Sequence, residues 1–194
     1  MNVLIDLIGS SFIGGLLLLM ILKLNLYSQN AGYSSDTELR MQQNAKTLAE
    51  ILIYDLRKVG YNYYSTAISE ADSNRIKFYA DMNEPGTAGY GTVDEVEYFL
   101  SSTSKAAGTT NPNDVVLTRV INGVDSSSGS SLGLVRLVFS YLDQKFTSTS
   151  IKDSIKYIKT EFWVESLEPI EVNFGTQTGY PFTYWEMTIN PRNI

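Results

Sequence analysis

Asp6 is the sole ionisable side chain in the first twenty-two residues, MNVLIDLIGSSFIGGLLLLMIL. A carboxylate inside a membrane-length apolar run costs several kcal/mol unless a positive group meets it, so its presence points to a partner. Elsewhere the acids invite other chemistry. Asp81, Asn83 and Glu84, with Asp94, Glu95 and Glu97, carry oxygen ligands suited to calcium. They lack the D-x-[DN]-x-[DN]-G spacing and the closing Glu of an EF-hand loop, and a solvated acidic loop accounts for them. Glu161 and Glu165 fall on one face of a strand about 13 Å apart, too far for either geometry of glycoside hydrolysis. Tyr27, Tyr33, Tyr61, Tyr63 and Tyr64 suggest an electron path, but aromatic packing at helix, sheet and subunit contacts explains them with less. The chain contains no cysteine and no histidine, which excludes disulfides, thiolate nucleophiles, imidazole bases, Cys/His zinc sites and Ser-His-Asp triads. No catalytic, cofactor-binding or metal residue is assigned, and neither an enzyme nor a cofactor is expected.

Composition narrows the partners. With 194 residues, 43% of them hydrophobic, the chain suffices for one globular domain plus an appendage. Fifteen Lys+Arg against 21 Asp+Glu leave a net charge of -6, without the basic excess that phosphate backbones attract. Nucleic acid is not an expected partner.

The element that must carry Asp6 is the apolar run at residues 3–22, about 30 Å as a helix and so long enough to cross a bilayer. A secretory signal peptide would show a basic region before its apolar core and a shorter core, and no Lys or Arg precedes this one. Lys23 is the one basic residue near either end. Gly9, Gly14 and Gly15, with Ser10 and Ser11, form a small-residue patch that permits close helix approach. Asn30, Gly32, Ser34 and Ser35 weaken helix propensity, so a kink or melted turn is expected there, with Asp36 as the cap of a second helical stretch. From residue 37 to 59 the apolar residues Met41, Ala45, Leu48, Ala49, Leu52, Leu56 and Val59 recur at helical spacing, opposite a polar stripe of Glu38, Gln42, Lys46 and Glu50. Gly60 is the expected end of that helix.

Beyond Gly60 the period becomes two. RIKFY (75–79), VEYFL (96–100), VVLTRVI (115–121), LVRLVFSYL (134–142), IKYIKTEFWVES (155–166) and YWEMTI (184–189) read as strands. NEPG, NPND and DSSSGSS separate them with turn chemistry, and residues 101–110 and 125–131 read as loops. The fold class is therefore α+β, with an antiparallel sheet whose one face is covered by the amphipathic helix, the only element available for it. The chain divides into three units: an apolar helix at 1–30, an amphipathic helix at 31–60, and a β-rich head at 61–194 that folds together with 37–60.

This order of elements resembles the type IV pilins and the pseudopilins of type II secretion. Leu4-Ile5-Asp6-Leu7 is similar to the family's L-I-E-L near the mature N-terminus, with Asp in place of Glu and Met1 where the Gly of a leader would stand. LAEILIYDLRKVGYN (48–62) resembles the PilW-like minor pilins, in which D-L-R-x-x-G-Y leads into the sheet. Collinear short matches occur at IKFYAD (76–81), VEY (96–98), LTR (117–119) with Asn122-Gly123, VFSYLD (138–143) and PRN (191–193).

The resemblance implies a structural subunit of an extracellular filament that polymerises through its apolar helix. Its expected partners are copies of itself in a helical homopolymer, the inner-membrane pilus assembly machinery and, before assembly, the lipid bilayer. It would lie first in the membrane and then at the cell surface. In the family the acid faces the N-terminal amine of a neighbouring subunit, which makes Met1 and Asp6 assembly residues, with Asn2 or Ser10 as donors should Met1 keep a formyl group. Gly9, Gly14 and Gly15 complete the assembly set, and Met41, Leu48, Leu52 and Leu56 form the helix-sheet core. Two alternatives stand beside this reading. One is a minor pilin or pseudopilin that primes or tips a filament or a secretion pseudopilus; the other is a monomeric single-span surface protein with a concave aromatic pocket for a ligand and no need of Asp6.

Overall fold

In a computed structural model, which describes residues 3–101, 106, 109–128, 132–172 and 177–194, the chain begins with one long helix, α1 (Val3–Leu56, 54 residues). At about 1.5 Å per residue it is roughly 80 Å long. No melted turn interrupts it between Asn30 and Ser35, contrary to the expectation from propensity. Each weak helix former there costs a fraction of a kcal/mol and Gly32 about 1 kcal/mol, and local bonds offset the loss. Gln29 Nε2 donates to Asn25 Oδ1 (3.0 Å) and Thr37 Oγ1 to the Tyr33 carbonyl (2.9 Å). Asp36, expected as a cap, sits inside the helix and pairs with Arg40 Nε at 2.8 Å.

α1 ends at Leu56, and a series of turns carries the chain through residues 57–62. Gly60, expected to end the helix, instead lies within that series, four residues beyond the helix end, at φ +79°, with its N–H donating to the Tyr79 carbonyl at 2.9 Å. A Cβ there would stand 2.6 Å from the Asn193 carbonyl oxygen, so the C-terminal segment approaches a position that only glycine tolerates.

Strands β1 (Ile68–Ala71), β2 (Arg75–Ala80), β3 (Asp94–Leu100), β4 (Leu117–Ile121) and β5 (Val124–Ser128) form an antiparallel meander in chain order. β6 (Leu134–Leu142) then pairs with β7 (Tyr157–Glu165), β8 (Ile170–Val172) and β9 (Gln177–Gly179) make a small hairpin, and β10 (Phe182–Ile189) returns to the other edge of β7. The six predicted strands are present, but they are divided between two sheets, with the hairpin apart. β6 meets the meander through backbone bonds, Phe139 N–H to Ser73 O at 2.7 Å and Val115 N–H to Leu134 O at 2.8 Å.

The alternation along the strands builds one core. Ile76, Phe78 and Ala80 of β2, Val96 and Tyr98 of β3, Phe139 of β6 and Ile158, Phe162 and Val164 of β7 are buried together with Met41, Ala45, Leu48, Leu52 and Leu56 of α1. The buried stripe of α1 thus holds the four helix residues predicted for it. α1 lies nearest β7 and β10 and also reaches β3 and β4 through Asp55.

Candidate functional site: an exposed stalk helix anchored in the head

The fully buried residues of α1 begin at Met41. N-terminal to it the helix is a stalk with its large apolar side chains in the open: Leu4 is 72% exposed, Phe12 68% and Leu26 61%. The membrane-length apolar window of this helix has none of its residues buried by the head. Soluble monomers expose apolar patches of at most a few hundred Å². A continuous apolar surface over residues 3–27 is the kind that lipid or other protein covers.

Asp6 and Lys23 are the only charged residues between positions 3 and 35. Both side chains are exposed, and neither has a hydrogen-bond or ion-pair partner among the described residues. Met1 and Asn2, the expected amine and donor, lie outside the described residues. Around Gly9, Gly14 and Gly15 nothing among the described residues, apart from the adjoining helix backbone, lies within 4 Å of where a Cβ would be, so no packing among the described residues requires their small size. Ser10 Oγ turns back to the Leu7 carbonyl at 3.0 Å and is used by its own helix.

At the other end of α1, Asp55 fixes the stalk in the head. Tyr98 Oη of β3 and Arg119 Nε of β4 both donate to Asp55 Oδ2, each at 2.5 Å. Asp55 and Tyr98 are buried, and Arg119 is partly so. Burial, with the Asp55 charge and hydrogen bond beside it, drives the Tyr98 phenol far above its ordinary pKa, so it stays a donor. Burial pulls the Arg119 guanidinium down, but the bond to Asp55 and the neighbouring charge outweigh it and hold it above its usual value. The three partners come from three of the short motifs singled out in the sequence, D-L-R, V-E-Y and L-T-R. Periodicity placed Asp55 beside the apolar stripe and gave no sign that it would be buried; those motifs held the only signal.

The remaining candidates resolve into structural roles. Asp81 is buried, not solvated: it accepts bonds from Asn62 Nδ2 (2.8 Å), Asn83 N (3.1 Å) and Gly91 N (2.7 Å) and so ties the loop of residues 82–93 to the turn after α1. Burial raises its pKa, and these donors more than reverse the effect, leaving it below the usual carboxylate value. Glu95 and Glu97 pair with Lys77 (3.3 and 3.5 Å), and Glu97 also with Arg75 (2.6 Å). Among the described residues no three acids converge as metal ligands. Glu161 and Glu165 share a face of β7 but have separate partners. Tyr184 Oη donates to Glu161 at 2.7 Å, and Asn111 Nδ2 to Glu165 at 2.8 Å. The tyrosines do not form one path: Tyr33 donates to Glu168 (3.0 Å), Tyr61 meets Tyr90 (3.3 Å), and Tyr63 packs on Tyr79 with ring centres 5.0 Å apart.

No protein-family model matches the chain, and no curated protein matches it. Among solved structures it is similar to a type IV-like pilin from Thermus thermophilus, with a TM-score of 0.51 at 10% sequence identity. The match covers 79% of this chain and 97% of that one. The fold is thus type IV pilin-like: one long N-terminal helix packed on antiparallel sheets.

Proposed function

We propose that this chain is a pilin-type structural subunit, stored in a bilayer by its stalk and polymerised through it into a filament whose β heads form the outer shell. The observation that carries the reading is the stalk itself, a continuous apolar helix surface left uncovered by its own head, with one acid near its start. Moving such a helix from lipid into a helix bundle gains little hydrophobic free energy, because lipid tails are as apolar as leucine. Packing and charge pairing must then supply the specificity. Glycines whose small size no contact among the described residues requires are suited to that packing. No catalytic step belongs to this role. Extraction from the membrane requires an external motor and platform.

The resemblance of D-L-R-x-x-G-Y to minor pilins favours a second form of the same reading, in which a few copies prime or tip a filament made of another protein. Electron microscopy of sheared surface filaments, with peptide mapping of their main band, tests both. The chain as the main band supports the homopolymer, and the chain as a trace component supports the minor role. Recovery of the chain solely as dispersed monomers in the membrane would refute filament formation.

A further inference from the structure

Asp6 and Lys23 bracket sixteen uncharged residues. In a bilayer that spacing, about 25 Å along the helix, lets each charge reach a headgroup layer, one at either side. In a helix bundle both lose that environment together, and a charge left alone among apolar helices costs several kcal/mol. They cannot meet within one helix, because the same 25 Å separates them. They can meet between two parallel copies, one displaced along the axis by that distance.

We infer that Asp6 of one subunit pairs with Lys23 of a second copy, so that the spacing of the two charges sets the axial stagger between these neighbours at about 25 Å. This deepens the filament reading and rests on it. The charge complementarity is complete over residues 3–35: that part of the stalk carries one acid and one base, and a single repeated contact neutralises both in each interior subunit. Pairing of Asp6 with a terminal amine would leave Lys23 uncompensated. The geometry also specifies the kind of assembly. Seventeen residues leave the two side chains about 100° apart around the helix axis, so the contact joins two different faces of the stalk. A contact between unlike faces is heterologous and propagates as an open helix instead of closing into a dimer. Gly9, one turn from Asp6, presents no side chain to hold the two helices apart.

A charge-neutral cycle tests the pair in the full-length protein, with filament yield compared at equal membrane levels of each variant. D6N and K23Q should each lower yield by about tenfold or more, because each leaves the opposite charge alone in the contact. The double variant D6N/K23Q should recover most of that loss. K23Q assembling normally, or a double variant as poor as D6N, would overturn the pairing. As a second measurement, the chain has no cysteine of its own, so filaments of D6C/K23C should give a ladder of disulfide-linked multimers on oxidation. Filaments that form without any ladder would overturn the stagger and leave the filament reading intact. A wild-type chain that forms no filament would instead remove the filament reading and this inference with it.

Discussion

Removal of one member of the Asp55 cluster should destabilise the head more than its small size suggests. The order of effects follows from burial. Arg119→Met keeps the aliphatic stem but strands Asp55, whose side chain is 4% exposed, with only the Tyr98 hydroxyl as partner among the described residues. Breaking a buried pair in this way costs about 3–5 kcal/mol. Asp55→Ala removes one partner of Arg119, whose side chain is 22% exposed and keeps some contact with water, so its cost falls at or below about 3 kcal/mol. Tyr98→Phe removes one hydrogen bond to a charged group, about 1.5–3 kcal/mol. The triple variant D55L/Y98F/R119M replaces the whole cluster by apolar groups and should match or exceed the wild type, since apolar replacement of a buried ion pair is often neutral or stabilising by about 1–4 kcal/mol. The assay is urea and thermal unfolding of a head fragment that starts at residue 37 and so keeps every buried residue of α1. At about 2–4 °C per kcal/mol for a chain of this size, Arg119→Met should lower Tm by roughly 6–20 °C. An Arg119→Met fragment within about 0.5 kcal/mol of wild type, inside the range of ordinary surface substitutions, would refute the buried pair.

Three further outcomes are expected. Leu52→Asp puts a carboxylate at a fully buried position of α1 and should abolish folding of the same fragment, whereas unchanged thermal unfolding would remove the helix from the core. Thr160→Val should stabilise the head by about 1 kcal/mol in urea titration, because the buried Thr160 hydroxyl has no partner among the described residues. The acid limb of stability should depend on Asp81, whose lowered pKa stabilises the fold above the unfolded carboxylate value of 3.8 and ceases to do so as pH falls through the folded value. Asp81→Asn should therefore cost stability at neutral pH and little in strong acid. On the alkaline side Tyr98 and Tyr141 are raised by burial, so stability should fall as pH rises above the ordinary tyrosine value of 10.0, with these two ionising only as the head unfolds.

The parts of the fold legible in the sequence are those where periodicity is strong. Met41, Leu48, Leu52 and Leu56 recur every three or four residues, and the observed core contains all four. β7 alternates buried and partly exposed side chains along its whole length, so its pattern could be read before its partners were known. β1 and β5 were hidden for a physical reason. Ile68–Ala71 is four residues long, and Val124–Ser128 follows its valine with an aspartate and serines, so backbone pairing with β2 and β4 makes them strands where side-chain pattern does not. The way β6 meets the meander depends on backbone bonds such as Phe139 to Ser73, which leave no mark in composition. Asp6 was legible because a lone charge in an apolar run is conspicuous. Asp55 was not, because an acid beside a helix's apolar stripe looks like any solvated one until Tyr98 and Arg119 are seen to close over it.

The central claim, that the uncovered stalk is the polymerisation surface, is tested most directly by cryo-electron microscopy of filaments isolated from cells that express the chain. Helical reconstruction should show the stalks of many copies bundled along the axis, each apolar surface in contact with other stalks and the β heads outside. A filament held together by head contacts alone, with the stalks splayed into detergent or solvent, would contradict it.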